Sequence, residues 1–168
     1  MDLVNLRYFA VDKRGTVDSP PYSGGPGMIL RPEPIYDAVT SVLADDKTKL
    51  VFLTPRGTIY NQKVAMDLAQ NYSHLVIFCG RYEGMDQRVI DYYVEQSKVD
   101  KNLQAEELSL GNYVLSGGEV GAMAIMESVV RLIPGAIDNQ EALRDESFNP
   151  TRTQSVEHPQ YTRPEIWQ

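Results

Sequence analysis

The 168-residue chain has no run of about 18 apolar residues, so no helix written in it spans a membrane. Cysteine is nearly missing. Cys79 is the only one, which excludes an internal disulfide and suits a reducing compartment. Histidine is scarce: His74 and His158 lie far apart, and with one cysteine they compose no Cys/His zinc site, so no bound metal is expected. There is no G-x-x-x-x-G-K-[ST] phosphate loop, no G-x-S-x-G elbow, and no G-x-G-x-x-G after the first strand. Those absences set aside a P-loop nucleotidase, an α/β hydrolase and a Rossmann-type domain. The start, Met1-Asp2-Leu3-Val4-Asn5, lacks the basic-then-apolar layout of a signal peptide, and a cytoplasmic location is expected. Positive charge is short: 16 Lys and Arg stand against 23 Asp and Glu, a net charge of −7. Non-specific nucleic-acid binders are usually basic. The charge alone therefore argues against such a partner, unless a local basic patch or a further segment supplies the phosphate contacts.

What is present reads as one domain, or one domain with an extension, and 42% apolar content suits a globular core. Ile35, Val39, Val42 and Leu43 recur at helical spacing, and Asn61 caps a second helix through about Gln70. Residues 49–54 and 75–79 are apolar, buried strands, with a short third strand at Tyr113-Val114-Leu115. Residues 89–94 read as either helix or strand, and the polar stretch 95–107 as an exposed connection. Gly118 to Leu132 is a long helix, apolar on most sides and closed by Pro134-Gly135. It is either a central core helix or a subunit interface. Residues 19–28 are dense in turn formers, giving either a flexible loop or an ordered loop over a site. Strands alternating with helices predict an α/β fold with a mostly parallel sheet and helices on both faces.

Two glycine-bearing segments carry the functional signal. Cys79-Gly80-Arg81-Tyr82-Glu83-Gly84-Met85-Asp86 follows a buried strand, and Ser109-Leu110-Gly111-Asn112-Tyr113-Val114-Leu115-Ser116-Gly117-Gly118-Glu119 contains another. Glycine lets backbone approach a ligand closely. In parallel sheets ligands bind beyond the carboxyl ends of the strands. Thr54-Pro55, Gly80-Arg81 and Leu115-Ser116-Gly117 are expected to converge on one crevice built of main-chain amides and carbonyls, suited to a purine with small polar groups.

Several blocks occur in one order: Pro21-Tyr22-Ser23-Gly24-Gly25-Pro26-Gly27-Met28, Cys79 to Gly84, Tyr113-Val114-Leu115-Ser116-Gly117-Gly118-Glu119, Ile133-Pro134-Gly135, Glu146-Ser147-Phe148 and His158-Pro159-Gln160-Tyr161-Thr162-Arg163-Pro164. Together they resemble the bacterial tRNA (guanine-N1)-methyltransferase family of the SPOUT superfamily, from about Thr16 to Pro164. The resemblance implies a deep C-terminal trefoil knot, an exception to ordinary chain connection. It implies a homodimer with its site at the subunit interface, which favours the interface reading of the 118–132 helix. It also implies S-adenosyl-L-methionine as methyl donor and tRNA as substrate, modified at N1 of the guanosine immediately 3′ of the anticodon. Mg2+ is left open as a further requirement.

Carried over by position, the resemblance puts the cofactor pocket at Leu53, Thr54, Pro55, Gly80, Tyr82, Glu83, Leu110, Gly111, Asn112, Tyr113, Val114, Leu115, Gly117 and Gly118. Removing the N1 proton calls for a general base, and charge moving toward O6 calls for a cation or donor. The family's carboxylate before the Ser-Phe pair falls on Glu146, where aspartate is usual, with Asp145 in reserve. Its arginine before the Pro-Gly pair falls on Arg131. Arg81, Asp18, Pro26 and Arg163 are candidate contacts to the RNA. The expected organisation is a catalytic domain over residues 1–135 and a linker over 136–168. The C-terminal tRNA-binding domain and part of the usual start are expected to lie outside this chain, so the fragment alone is expected to be impaired in turnover. Two alternatives stand beside this reading: a non-catalytic SPOUT-like nucleotide- or RNA-binding module, and a SPOUT methyltransferase with another RNA target.

Overall fold

The computed structural model describes residues 1–44, 47–137, 146–149 and 156–167. After a 3-10 turn at Leu6–Phe9, a short antiparallel ribbon joins β1 (Asp18–Ser19) to β2 (Ile29–Leu30). There follow α1 (Pro32–Thr40), β3 (Thr48–Ile59), α2 (Gln62–Asn71), β4 (His74–Cys79), α3 (Gln87–Gln96), β5 (Leu103–Ser109) and α4 (Glu119–Val130). The main sheet has the order β4-β3-β5, all parallel.

Both faces of the sheet are covered, because alternate side chains of a strand point to opposite sides. Leu50 and Phe52 of β3 pack with Ile35 and Val39 of α1 and with Val89, Ile90 and Tyr93 of α3. Val51 and Leu53 pack with Ala65 and Leu68 of α2 and with Ile125 and Val129 of α4. The connection leaving β3 therefore crosses one face and the connection leaving β4 crosses the other. Connections that diverge in this way from neighbouring strands open a crevice at their carboxyl ends.

The helix starts are set locally. The Asn61 side chain accepts hydrogen bonds from the backbone amides of Lys63 and Val64, and that of Asp86 from the amide of Arg88. The Asp86 cap settles residues 89–94 as helix. Its carboxyl is held below the usual range chiefly by its side-chain bond to Arg88.

Two sequence expectations are corrected. The stretch 95–107 is not all connection, because Leu103–Ser109 is a strand. Its glutamates are paired: Glu106 lies 2.7 Å from Lys49 of the central strand, and Glu107 lies 3.4 Å from Arg56. Conversely, Tyr113-Val114-Leu115 is not a strand but part of an exposed loop. The third strand end is thus at Ser109-Leu110, and the glycine segment after it is one continuous loop.

The central strand carries the largest irregularity. Leu53 and Thr58 both stand opposite Leu108, so Thr54–Gly57 bulges out at the carboxyl end. Gly57 is pressed onto the neighbouring strand. A Cβ there would lie 2.5 Å from the Glu107 carbonyl carbon and 2.5 Å from the Leu108 nitrogen. Gly57→Ala is expected to lower unfolding stability by about 1–3 kcal/mol, read by urea denaturation, because backbone on both sides has to move.

On the opposite face Tyr93 is 2% exposed, and its hydroxyl bonds to Thr40 Oγ1 at 3.0 Å and to the Tyr36 carbonyl at 3.1 Å. Burial pushes its pKa up to about 12 from 10.0. The unfolded chain therefore loses this proton at lower pH than the folded chain, and stability falls as pH rises from 10.0 toward 12. Tyr93→Phe is expected to remove this part of the alkaline slope in denaturation midpoints measured across that window.

Candidate functional site

Three irregular segments lie toward the carboxyl end of the sheet: the bulge 54–57 within β3, which runs on to Ile59 rather than ending at Thr54-Pro55 as expected, residues 80–86 after β4, and residues 110–118 after β5. The second and third are joined directly. Gly118 N–H donates to the Gly80 carbonyl at 2.9 Å, and Arg81 and Gly117 form an antiparallel bridge. A Cβ on Gly118 would lie 2.7 Å from Cys79 Cα and 3.0 Å from the Gly80 nitrogen, so glycine is a steric requirement here. Gly118 is also the residue from which α4 starts.

The floor is apolar. Leu53 and Leu110 converge on α4 at Gly121, where a Cβ would sit 3.3 Å from Leu53 Cδ1 and 3.2 Å from Leu110 Cδ2. One wall is open: Tyr113, Val114 and Leu115 are 55%, 80% and 41% exposed. Burial raises the Cys79 thiol pKa, with Glu119 adding to it, which makes the lone cysteine a poor nucleophile.

The proline- and glycine-rich stretch 19–28 meets this same end through Gly27 and Met28. Glu83 N–H donates to the Met28 carbonyl at 3.1 Å, Leu30 N–H to Gly84 at 3.0 Å, and Asp86 N–H to Leu30 at 2.9 Å. Gly27, at φ +88°, lies so close to Glu83 that a Cβ would come within 2.4 Å of its Cγ. Tyr82, at the tip of the second loop, holds φ at +59°. A tyrosine in that left-handed region costs energy, and such residues cluster at ligand sites. Asp18 pairs with Leu30 at the base of this loop and Pro26 lies near its tip.

Arg131 and Glu146 are brought together. Arg131 Nη1 donates to Glu146 Oε2 at 2.9 Å and Nη2 to Oε1 at 2.5 Å, a bidentate pair at the carboxyl end of α4. Asp145 lies outside the described residues. Arg163 sits in the exposed segment 156–167, with no hydrogen bond or ion pair to the glycine loops among the described residues. The pair and the crevice lie at opposite ends of one helix. Gly118 to Arg131 spans about 20 Å at 1.5 Å per residue.

Sequence reasoning missed Glu119, which pairs with Arg81 at 2.6 Å, and Gly121, which admits the two leucines. Their signal was position alone, just after the double glycine and at the first turn of a helix. Among the described residues no group of three or more His, Cys, Asp or Glu side chains could hold a metal ion, and no helix is long and apolar enough to cross a membrane. A cavity of about 290 Å³ lies at the amino end of the strands, lined by residues including Lys47, Asn71, Lys101 and Gln104, and shares nothing with the glycine loops.

A parallel sheet with helices on both faces and glycine loops toward its carboxyl end belongs to the α/β class, in which ligands commonly bind at the strand tips. The family description tRNA (Guanine-1)-methyltransferase TrmD matches residues 1–168, and the chain belongs to that family. It is 45% identical over 168 residues to a tRNA (guanine-N(1)-)-methyltransferase of Wolbachia pipientis wMel, covering 99% of this chain and 66% of the relative. To the protein of the same name in Ehrlichia ruminantium (strain Gardel) it is 44% identical, with 99% and 66% covered. To that of Dictyoglomus turgidum it is 45% identical over 160 residues, covering 95% of this chain and 59% of the relative. The chain thus spans about two thirds of the length of the first two relatives.

Proposed function

We propose that this chain carries the catalytic module of an S-adenosyl-L-methionine-dependent methyltransferase acting on tRNA, at N1 of the guanosine immediately 3′ of the anticodon. One observation carries the reading: the glycine loops that the family motifs occupy are bonded to each other at the switch point of the sheet, through Gly118 and Gly80. The donor set suits the methyl donor. Main-chain groups of 110–115 can read an adenine edge, while Leu53, Pro55 and Leu115 offer apolar cover to its faces. When bound, S-adenosyl-L-methionine supplies an electrophilic methyl group on a sulfonium.

The chain's own residues supply the rest. Glu146 accepts the proton leaving guanine N1. Each of its oxygens is held by Arg131 yet keeps a second lone pair, so the arginine aims the base without blocking it. The guanidinium also stabilises negative charge moving toward O6. Glu83, beside Gly27, faces the cationic donor in this reading. Asp18, Pro26 and Arg163 complete the RNA contacts in this reading.

The protein works as a cytoplasmic homodimer with a composite site. Support comes from the length of α4, which separates base and crevice by about 20 Å within one chain. It comes also from the outer face of that helix, where Val120, Met123 and Val130 are 58%, 55% and 52% exposed. A second copy running antiparallel would cover this face and bring its Arg131 and Glu146 over the first copy's glycine loops. The family's trefoil threading and the division into a 1–135 module and a 136–168 linker belong to the same reading. No step is assigned to Mg2+.

The test is transfer of labelled methyl from S-adenosyl-L-methionine to tRNA transcripts with guanosine or adenosine 3′ of the anticodon. Label in the first and none in the second is expected. No saturable donor binding by calorimetry would point instead to a non-catalytic module, and label in both transcripts to another RNA target.

A further inference from the structure

The second and third loops are held at a fixed spacing by more than backbone. Arg81 Nη2 lies 2.6 Å from Glu119 Oε1 and Arg81 Nε 2.8 Å from the same oxygen, in a pair that bridges the two loops. The guanidinium runs across Gly117. A Cβ there would lie 3.1 Å from Arg81 Nε and 2.4 Å from Glu119 Oε2, so this glycine leaves the channel through which the two side chains meet. Beneath them lie the Arg81–Gly117 bridge and the Gly118-to-Gly80 bond. Glu119 stands in the first turn of α4, where a carboxylate is favoured by the helix dipole.

We infer that Arg81 and Glu119 are positioning residues: a side-chain clasp that sets the gap between the Gly80 and Gly117-Gly118 loops and so tunes affinity for the methyl donor. Arg81 then acts on the cofactor side rather than as an RNA phosphate contact. The inference rests on the methyltransferase reading for its ligand, but the clasp itself is a property of the free chain.

The pair is half exposed, at 56% and 48% side-chain accessibility, so its effect is modest and sensitive to salt. Arg81→Glu and Glu119→Arg are each expected to weaken S-adenosyl-L-methionine binding by roughly threefold to fivefold in calorimetry, the size of an exposed ion pair. KM for the donor rises by more than kcat falls. The double swap, Arg81→Glu with Glu119→Arg, restores donor affinity. Hydrogen exchange at the Gly118 amide, measured without ligand, quickens in each single variant and slows again in the swap. Unchanged donor affinity with weakened tRNA binding in Arg81→Glu overturns the inference, as does a swap that rescues neither readout. Wild-type protein that binds no donor sinks the methyltransferase reading instead, and the exchange rates still decide the clasp.

Discussion

Replacing Glu146 by Gln leaves donor binding intact and lowers methyl transfer by about 10²- to 10⁴-fold, the range of a lost general base. Glutamine keeps the shape and can still accept one hydrogen bond from Arg131, but it cannot take the N1 proton at neutral pH. A base must be aimed as well as basic, and Arg131 holds Glu146 through two bonds at 2.9 and 2.5 Å. Glu146→Asp keeps the carboxylate one methylene shorter and is expected to retain more activity than the Gln variant. Single-turnover rates with saturating donor and tRNA measure both. If Asp145→Asn carries the large loss and Glu146→Gln does not, the base is the neighbouring residue.

Substituting Gly118 by Val is expected to abolish measurable donor binding, and Gly118→Ala to weaken it by at least tenfold. Backbone conformation is not the obstacle, since Gly118 has φ −78° and ψ −9°, which any residue adopts. The obstacle is the Cys79–Gly80 main chain at 2.7 and 3.0 Å from a first side-chain carbon. Relieving that clash parts the two loops and breaks the bond from Gly118 N–H to the Gly80 carbonyl. Overpacking of this kind costs about 1–3 kcal/mol. Calorimetry against S-adenosyl-L-methionine reads the affinity, and thermal unfolding of the same samples shows whether the fold survives. An alanine variant that binds donor like the wild type would falsify the close-contact role of this glycine.

The sequence was most readable where backbone geometry alone decides. Glycines at strand ends are recognisable without knowing what they touch: Gly80 follows the apolar run 75–79 as expected, whereas the Gly118 loop follows Leu103–Ser109 rather than the strand expected at 113–115. It was least readable where a charge changes meaning with its partner. Glu106 and Glu107 look like a solvated connection until Lys49 and Arg56 are placed opposite them across the sheet. Tyr113-Val114-Leu115 has strand-like composition, yet it pairs with no strand among the described residues and stands exposed. The α4 face posed a similar problem. Apolar side chains on all sides of a helix do not say which side the same chain buries, and only the fold shows Ile125 and Val129 inward and Met123 and Val130 outward.

The cofactor account meets its plainest test in crystals of the protein grown with S-adenosylhomocysteine. The expected density places the purine between Leu53 and Leu115, its edge on the backbone of 110–115, with Gly80 and Gly118 alongside. Density in the cavity near Lys47 and Lys101, or a strand-tip crevice left vacant at saturating ligand, contradicts it.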